Sequence, residues 1–205
     1  MIRQDPVGTT RLATLVLAHG AGAPMDSPYM ELLTEHLLRQ GFSVLRFEFP
    51  YMATRRNDGR KRPPNPMPQL EKAFLQQLEG LSGPVLIGGK SMGGRVASHI
   101  LEQSVAVGAV VFGYPFHPPG KPERLRIGHL HDISKPLLIV QGTRDPFGRQ
   151  HEVAEYALAD RVELVWLHDG EHDLRPTKAS GRSQQALIEE AAAAAGDFAR
   201  RLLAD

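Results

Sequence analysis

A serine between two glycines stands where an apolar run gives way to a helical pattern. The segment Gly89-Lys-Ser91-Met-Gly93 directly follows the run that begins at Val85, and helical periodicity begins near Met92. A G-x-S-x-G sequence between a strand and a helix is typical of a nucleophile elbow, a sharp turn that raises the serine oxygen above the sheet. This context predicts that Ser91 is a nucleophile. The alternative is a glycine-rich turn in which Ser91 only caps the following helix.

A serine hydroxyl attacks a carbonyl efficiently only when a base takes its proton, so Ser91 needs a histidine and a carboxylate that orients it. In sites built on such an elbow the chain order is Ser, then Asp or Glu, then His. Asp145 follows the apolar run at residues 137–140, and His172 follows the run at residues 162–167. The sequence therefore predicts Ser91 as nucleophile, His172 as base and Asp145 as the orienting carboxylate.

Both partners of Ser91 have alternative interpretations. Asp145 precedes a proline and could serve only as a helix N-cap. His172 could be a solvated loop residue, and His168 could take its role. The neighbouring carboxylates that could exchange roles with the predicted residues are Asp169, Glu171 and Asp173. We favour His172 because it lies farther into the loop than His168, which abuts the predicted strand.

Apolar, β-rich runs alternate along the chain with segments of helical periodicity. The predicted strands are residues 14–18, 44–47, 85–87, 107–112, 137–140 and 162–167, and the predicted helices are residues 29–40, 69–79, 92–103, 150–158 and 183–203. This alternation predicts one α/β domain, residues 1–205, with a mostly parallel sheet flanked by helices on both faces. The loops at the carboxyl ends of the strands should then hold the site. Residues 50–68 and 113–122, rich in proline and glycine, are predicted to be long loops.

The composition excludes several classes of protein. Lys and Arg total 24 against 23 Asp and Glu, and the net charge of +1 gives no global field for nucleic acid or an anionic membrane. No apolar run approaches the roughly 20 residues of a membrane-spanning helix. Residues 1–12 contain no apolar core of a secretory signal. The chain has no cysteine, and hence no disulfide or thiolate metal site. We therefore expect a cytoplasmic protein without a nucleic-acid or membrane partner.

The segment from Arg55 to Arg62 departs from this balance, with five basic residues and one acidic residue. We interpret it as a solvated loop, or as a loop that overhangs the site and favours anionic substrates. Nucleic-acid binding is disfavoured because no aromatic residues interleave with the basic ones. Three histidines, His117, His129 and His131, have no carboxylate at a spacing typical of zinc ligands, so no metal site is predicted.

Taken together, the motifs resemble the α/β-hydrolase family over nearly the whole chain, from residue 14 to the last predicted helix. They are His19-Gly20-Ala21-Gly22, the elbow, Gly142-Thr-Arg-Asp145 and Asp169-Gly-Glu-His172. The 22 residues at 113–134 are too few and too rich in proline for a helical lid. The chain therefore looks like the capless dienelactone-hydrolase-like serine hydrolases. Dienelactone hydrolase itself has a cysteine nucleophile, so its lactone chemistry is not implied.

The resemblance implies an α/β-hydrolase fold without a lid domain and a serine hydrolase that cleaves an ester, thioester or similar acyl bond through an acyl-enzyme. It implies a small-molecule acyl substrate and no cofactor. The backbone N–H groups of Ala21 and Met92 would form the oxyanion hole, and His19 would shape the first loop. Tyr114 and Phe116 are expected to border an open cleft. A non-catalytic scaffold or binding protein with this fold is the alternative.

Overall fold

A central sheet of seven strands separates two layers of helices. The computed structural model describes residues 1–8 and 10–204. The strands are β1 Ile2–Gln4, β2 Ala13–Ala18, β3 Phe42–Phe47, β4 Val85–Lys90, β5 Gly108–Phe112, β6 Leu137–Gly142 and β7 Val162–Leu167. The α-helices are α1 Pro28–Arg39, α2 Pro50–Asp58, α3 Met67–Gln76, α4 Met92–Ile100, α5 Gln150–Val153 and α6 Gln184–Ala204. Two 3₁₀ turns cover Gly128–Leu130 and Lys178–Ser180.

The strand order across the sheet is β1-β3-β2-β4-β5-β6-β7. β1 runs antiparallel to β3, and every other neighbouring pair is parallel. The mostly parallel α/β fold predicted from the sequence is therefore confirmed. β2 and β5 are buried at every position. Burial on both faces explains why their sequences are apolar runs instead of alternating patterns.

Each face of the sheet has its own apolar layer. On one face α2, α3 and α4 cover side chains that include Phe47, Phe74 and Ile100. On the other face α1 and α6 cover a second layer that includes Leu33 and Phe198. Since helices cover both faces, the edge at the carboxyl ends of the parallel strands is left to the loops, and this is where sites form in such sheets.

The six predicted strands and five predicted helices are present, with ends displaced by a few residues. The helix predicted at 150–158 is only the four-residue α5. β1 and α2 were not predicted, and the prediction of a loop at residues 50–68 is wrong over α2. Pro50 lies in the first turn of this helix, where the missing N–H of proline is tolerated. Gly59 ends the helix with a φ of 71°.

The chain between β5 and β6 is fully described and contains no α-helix. Its one helical element is the 3₁₀ turn Gly128–Leu130. This agrees with the expected absence of a helical lid over the carboxyl edge of the sheet. Within residues 1–8 and 10–204, no helix combines the length and apolar composition needed to span a membrane.

Candidate active site

The turn between β4 and α4 holds Ser91 in an unusual backbone conformation. Ser91 has a φ of 52° and a ψ of −116°, and its N–H donates to the Phe112 carbonyl oxygen at 3.0 Å. A Cβ on Gly93 would lie 2.5 Å from the His19 carbonyl oxygen, so a larger residue could not approach the end of β2 this closely. Tight packing therefore imposes the strain at Ser91, as is typical of a nucleophile elbow.

The three side chains predicted to act together meet at the carboxyl ends of β4, β6 and β7. His172 Nε2 lies 2.9 Å from Ser91 Oγ, and His172 Nδ1 lies 2.8 Å from Asp145 Oδ2. A carboxylate only accepts hydrogen bonds, so the imidazole proton is on Nδ1 and the Nε2 lone pair faces the serine hydroxyl. In this orientation the imidazole can take the serine proton.

Asp145 is fully buried, and main-chain and side-chain donors hold its carboxylate in place. Oδ1 accepts the Phe147 N–H at 2.9 Å, and Oδ2 accepts the Gln141 side-chain amide at 3.0 Å. Gln141 is itself fixed, because its side-chain oxygen accepts the Tyr114 N–H at 2.7 Å. Asp145 is not the cap of the next helix, which begins at Gln150. Gln141 was not predicted, because a glutamine at a strand end belongs to no motif.

The imidazole of His172 lies between an aromatic ring and a glycine. The Phe147 ring is tilted 34° to it at a centroid distance of 4.2 Å. On Gly113, which has a φ of 69°, a Cβ would approach His172 Nδ1 to 3.3 Å and the His172 carbonyl oxygen to 3.2 Å. The missing side chain at Gly113 therefore makes room for the histidine in its present position.

The neighbours that were alternative partners have other contacts. His168 is exposed. Asp169 accepts hydrogen bonds from Thr177 and pairs with Arg144. The Glu171 carboxylate accepts the N–H groups of Asp173 and Arg175. Asp173 lies 3.3 Å from the Lys90 ammonium. The carboxylate that the structure places against His172 Nδ1 is that of Asp145.

Two backbone amides close to Ser91 have no internal acceptor. In the part of the chain that the structure describes, the N–H groups of Ala21 and Met92 donate no hydrogen bond to the protein. The Met92 amide is in the first turn of α4, where intrahelical acceptors are lacking. Both residues line a cavity beside Ser91. They are therefore available as donors to an oxygen bound there.

His19 has both ring nitrogens engaged away from Ser91. Nε2 accepts the Phe49 N–H at 3.1 Å, which leaves the proton on Nδ1, and Nδ1 donates to the Gly20 carbonyl oxygen at 2.7 Å. Burial lowers the pKa of His19 below its ordinary value, which favours this neutral form. His19 thus ties the loop after β2 to the chain after β3, in agreement with the expected shaping role.

Helix α2, which the sequence did not predict, also holds this loop. The Tyr51 hydroxyl donates to the Ala21 carbonyl oxygen at 2.9 Å, and Arg55 donates to the Gly22 carbonyl oxygen at 3.2 Å. The Tyr51 N–H in turn donates to the Asn65 side chain at 2.9 Å. The position of the Ala21 amide therefore depends on side chains from a separate element.

Two cavities adjoin Ser91. The first has a volume of about 460 Å³ and is lined by residues that include His172, Lys90 and Tyr29. The second has a volume of about 380 Å³ and is lined by residues that include Met92 and Met67. Ala21, Ser91 and Phe147 line both. A substrate that spans the two cavities would have its reacting carbonyl over Ser91.

Tyr114 and Phe116 do not border either cavity, so the expectation that they flank the cleft is corrected. Both are fully buried, with ring centroids 4.8 Å apart. The Tyr114 hydroxyl donates to the Arg126 carbonyl oxygen at 2.8 Å. Their chain turns inward after β5 to pack on the core, and Pro115, between them, is the residue that reaches the second cavity.

The first cavity contains a buried amine beside a buried phenol. The Lys90 ammonium lies 5.5 Å from the centre of the Tyr29 ring and 3.3 Å from Asp173. Burial lowers the pKa of Lys90, against the opposing effect of Asp173. The Tyr29 hydroxyl has no hydrogen-bond partner within the described residues, and burial raises its pKa. The cavity therefore offers polar donors deep in its wall.

The basic segment from Arg55 to Arg62 does not overhang Ser91. Its first four residues belong to α2. Arg56 pairs with Glu48 and Asp26, and Arg62 pairs with Asp58. None of the residues 55–62 lines either cavity at Ser91. The proposal that this segment selects anionic substrates at the site is therefore not supported.

The three histidines that follow β5 contact different partners. His117 is buried near Glu152, His131 binds the Ala157 carbonyl oxygen, and His129 accepts or donates a hydrogen bond with Ser98 at 2.8 Å. Over residues 1–8 and 10–204, no three metal-ligating side chains converge on one point.

Comparisons with known proteins agree with the fold. The family model described as an alpha/beta hydrolase domain matches residues 11–200. The esterase domain of a Rhodothermus marinus protein is similar with a TM-score of 0.69 and 19% identity, and the match covers 97% of this chain and 91% of that chain.

Two further structures extend the comparison. Est1E from Butyrivibrio proteoclasticus, solved with ferulic acid bound, matches with a TM-score of 0.70 and 15% identity, over 100% of this chain and 95% of that chain. An α/β serine hydrolase without a lid from Xanthomonas campestris matches with a TM-score of 0.62 and 15% identity. The match covers 92% of this chain and 85% of that chain. At these identities the likeness establishes the fold.

Proposed function

The chain belongs to the alpha/beta hydrolase domain family, and from this membership we propose that it is a serine hydrolase that cleaves an ester, thioester or similar acyl bond. The observation that carries the proposal is the continuous hydrogen-bonded row from Ser91 Oγ through His172 to Asp145, with distances of 2.9 Å and 2.8 Å. Family membership alone supports the assignment as a hydrolase. The two linked hydrogen bonds support the further proposal that Ser91 is the nucleophile.

The proposed reaction has two halves. Ser91 Oγ attacks the substrate carbonyl as His172 Nε2 takes the hydroxyl proton, and Asp145 stabilises the imidazolium. The N–H groups of Ala21 and Met92 receive the oxyanion, and one such donor is typically worth about 10²–10³ in rate. His172 then protonates the leaving group, which departs and leaves an acyl-enzyme. Water, deprotonated by the same imidazole, attacks the acyl carbon and restores Ser91.

Esters of small molecules are the substrates we propose to test first. One of the similar structures is an esterase domain by name, and another holds ferulic acid. The two cavities at Ser91, of about 460 and 380 Å³, lie within the range of ~300–1,000 Å³ typical of small-molecule pockets. A cytoplasmic location is part of the proposal and rests on the cysteine-free composition.

Turnover of p-nitrophenyl esters tests the proposal. We expect the wild-type protein to release p-nitrophenol, and Ser91→Ala to lower kcat by up to about 10⁶. Ser180→Ala is the matched control, because Ser180 is on the 3₁₀ turn Lys178–Ser180, lines neither cavity at Ser91, and its hydroxyl bonds to the local backbone. Turnover that survives in Ser91→Ala would contradict the proposal. Absence of turnover in the folded wild-type protein would instead favour a non-catalytic scaffold.

A further inference from the structure

The 380 Å³ cavity has an apolar wall and two arginines. Besides Ala21 and Phe147, which it shares with the first cavity, its apolar lining residues are Pro64, Met67, Leu70, Met92 and Pro115. Arg95 and Arg126 line it as well, together with Asn65. Arg95 is on α4, one turn after Ser91, and Arg126 precedes the 3₁₀ turn Gly128–Leu130. Two arginines thus line a largely apolar cavity that also reaches the nucleophile.

Neither guanidinium has an anionic partner among the residues that the structure describes. In residues 1–8 and 10–204, no carboxylate lies within 4 Å of Arg95 or Arg126, and Arg95 Nε is buried without a hydrogen-bond partner. The neighbouring Glu71 contacts His99 at 3.3 Å. By contrast, Arg46 and Arg56 each pair with a carboxylate. A half-buried pair of cations without a counter-charge is costly, and an anion from outside would relieve that cost.

The histidines and the tyrosine nearby do not supply a negative charge either. Burial, followed by the neighbouring His99 and Arg95, lowers the pKa of His129 to about 4, and burial together with Arg95 lowers the pKa of His99 to about 4. Burial lowers the pKa of Arg126, and Arg95 adds to the effect. Burial raises the pKa of Tyr114 to about 12, so its hydroxyl is neutral at pH 7. Neither these histidines nor Tyr114 therefore neutralises the two arginines.

The position of His172 distinguishes the two cavities. His172 must deliver a proton to the leaving group, and it lines the 460 Å³ cavity but not the 380 Å³ cavity. The leaving group therefore belongs in the first cavity. The acyl group extends on the other side of Ser91, past Met92, into the second.

We infer that the acyl part of the substrate ends in a carboxylate, which Arg95 and Arg126 bind while its carbon chain packs against the apolar wall. The substrates are then half-esters of dicarboxylic acids, or the corresponding thioesters. This inference rests on the proposed serine-hydrolase function. Guanidinium groups suit this role because their planar N–H donors match a carboxylate.

Two p-nitrophenyl esters with the same leaving group test the inference. One is the mono-p-nitrophenyl ester of adipic acid, and the other is its neutral counterpart with a terminal carboxamide. We expect kcat/KM of the wild-type protein to be about ten- to a hundredfold higher for the carboxylate ester, the range expected of charged hydrogen bonds. Arg126→Met and Arg95→Met should each remove most of this ratio, and Arg126→Lys should retain part of it.

Arg124→Met is the matched control, since Arg124 is exposed two residues from Arg126 and contacts Glu123. It should keep the wild-type ratio. A ratio near one in the wild-type protein, or one that survives in folded Arg126→Met, overturns the inference. If the carboxamide ester is hydrolysed in either of these outcomes, the proposed hydrolase function is retained although the inference about the carboxylate is overturned. If neither ester is hydrolysed and Ser91 forms no adduct with a fluorophosphonate, the proposed function fails and the inference fails with it.

Discussion

At the scale of single residues, the carboxylate of Asp145 accepts hydrogen bonds from Gln141, Phe147 and His172 while fully buried. In Asp145→Asn the side-chain amide can donate to His172 Nδ1, which moves the imidazole proton to Nε2. The Nε2 atom that faces Ser91 then has no lone pair with which to accept the serine proton. We expect kcat for ester hydrolysis to fall by up to about 10⁴.

The control for this variant is Asp169→Asn, since Asp169 is in the loop that carries His172 but is engaged with Thr177 and Arg144. Asn also tolerates the φ of 62° at this position. It should retain the wild-type rate. A normal rate in Asp145→Asn, with loss in Asp169→Asn, would show that the orienting carboxylate was assigned to the wrong residue.

Gly113 supplies a second prediction at this scale. In Gly113→Ala the new Cβ would press on His172 Nδ1 at 3.3 Å, and a small displacement of a catalytic base lowers rates by up to about 10². Gly120→Ala has the same backbone strain, with φ of 71° against 69°, but nothing within 4 Å of the new Cβ. We expect both variants to lose stability in thermal unfolding from the shared backbone strain, Gly113→Ala more so because of its contacts with His172, and Gly113→Ala alone to lose kcat. Equal activities would contradict this.

The sequence was informative at the residue scale wherever chemistry imposes a local motif or a chain order. Ser91 was predicted from its flanking glycines, and Asp145 and His172 from their order after it. Gln141 and Gly113 were not predicted, because their roles depend on contacts between segments distant in sequence. Tyr114 and Phe116 were misplaced for the same reason, since the direction of a loop side chain is set by tertiary packing.

At the scale of elements, α2 holds the loop that contains Ala21. Tyr51→Phe removes one hydrogen bond to the Ala21 carbonyl oxygen, and a net loss of that size corresponds to about two- to tenfold. Because the Ala21 amide is proposed to act on the oxyanion, we expect the loss in kcat and little change in KM. Tyr156→Phe is the control, as Tyr156 packs on Phe116 away from the loop. An effect on KM alone would contradict the positioning role of Tyr51.

The sequence predicted those elements whose hydrophobic pattern was strong. β2, β5 and β7 are continuous apolar or alternating runs, and α1 and α6 have clear helical periodicity. α2 was missed because Pro50 and the charges after Arg55 are typical of loops, although proline is compatible with a first helical turn. β1 is only three residues long and pairs at the sheet edge, which is too short for a pattern to show.

At the scale of the whole molecule, one buried and two half-buried histidines link stability to pH. Burial lowers the pKa of His99 and of His129 to about 4, and it also lowers the pKa of His19. Between about pH 6.5 and 4 the unfolded chain therefore binds protons that the folded protein does not. The free energy of unfolding should therefore decrease as the pH is lowered from about 6.5 to 4. Below about pH 4 these histidines should cause no further decrease.

Thermal unfolding at pH 7 and pH 5 measures this effect. We expect a lower Tm at pH 5, and a smaller difference in the double variant His99→Gln/His129→Gln. Ion-paired carboxylates contribute at lower pH, since Arg62 holds the pKa of Asp58 at about 2. A Tm that is unchanged or higher at pH 5 would contradict the assignment of these histidines as neutral in the folded protein.

The fold as a whole was predictable because alternating strands and helices admit few arrangements, and right-handed crossovers leave mainly the doubly covered parallel sheet. The two cavities were not predictable, since they form where loops from β2, β4 and β6 meet. The selectivity proposed for Arg95 and Arg126 likewise appears only when distant segments are brought together.

The central claim is that Ser91 is an activated nucleophile, and covalent labelling tests it most directly. The wild-type protein and Ser91→Ala are each incubated with a fluorophosphonate and measured by intact mass, and the labelled peptide is sequenced. We predict one adduct on the wild-type protein, located at Ser91, and none on the folded variant. No adduct on folded wild-type protein, or an adduct that persists in Ser91→Ala, would contradict the account.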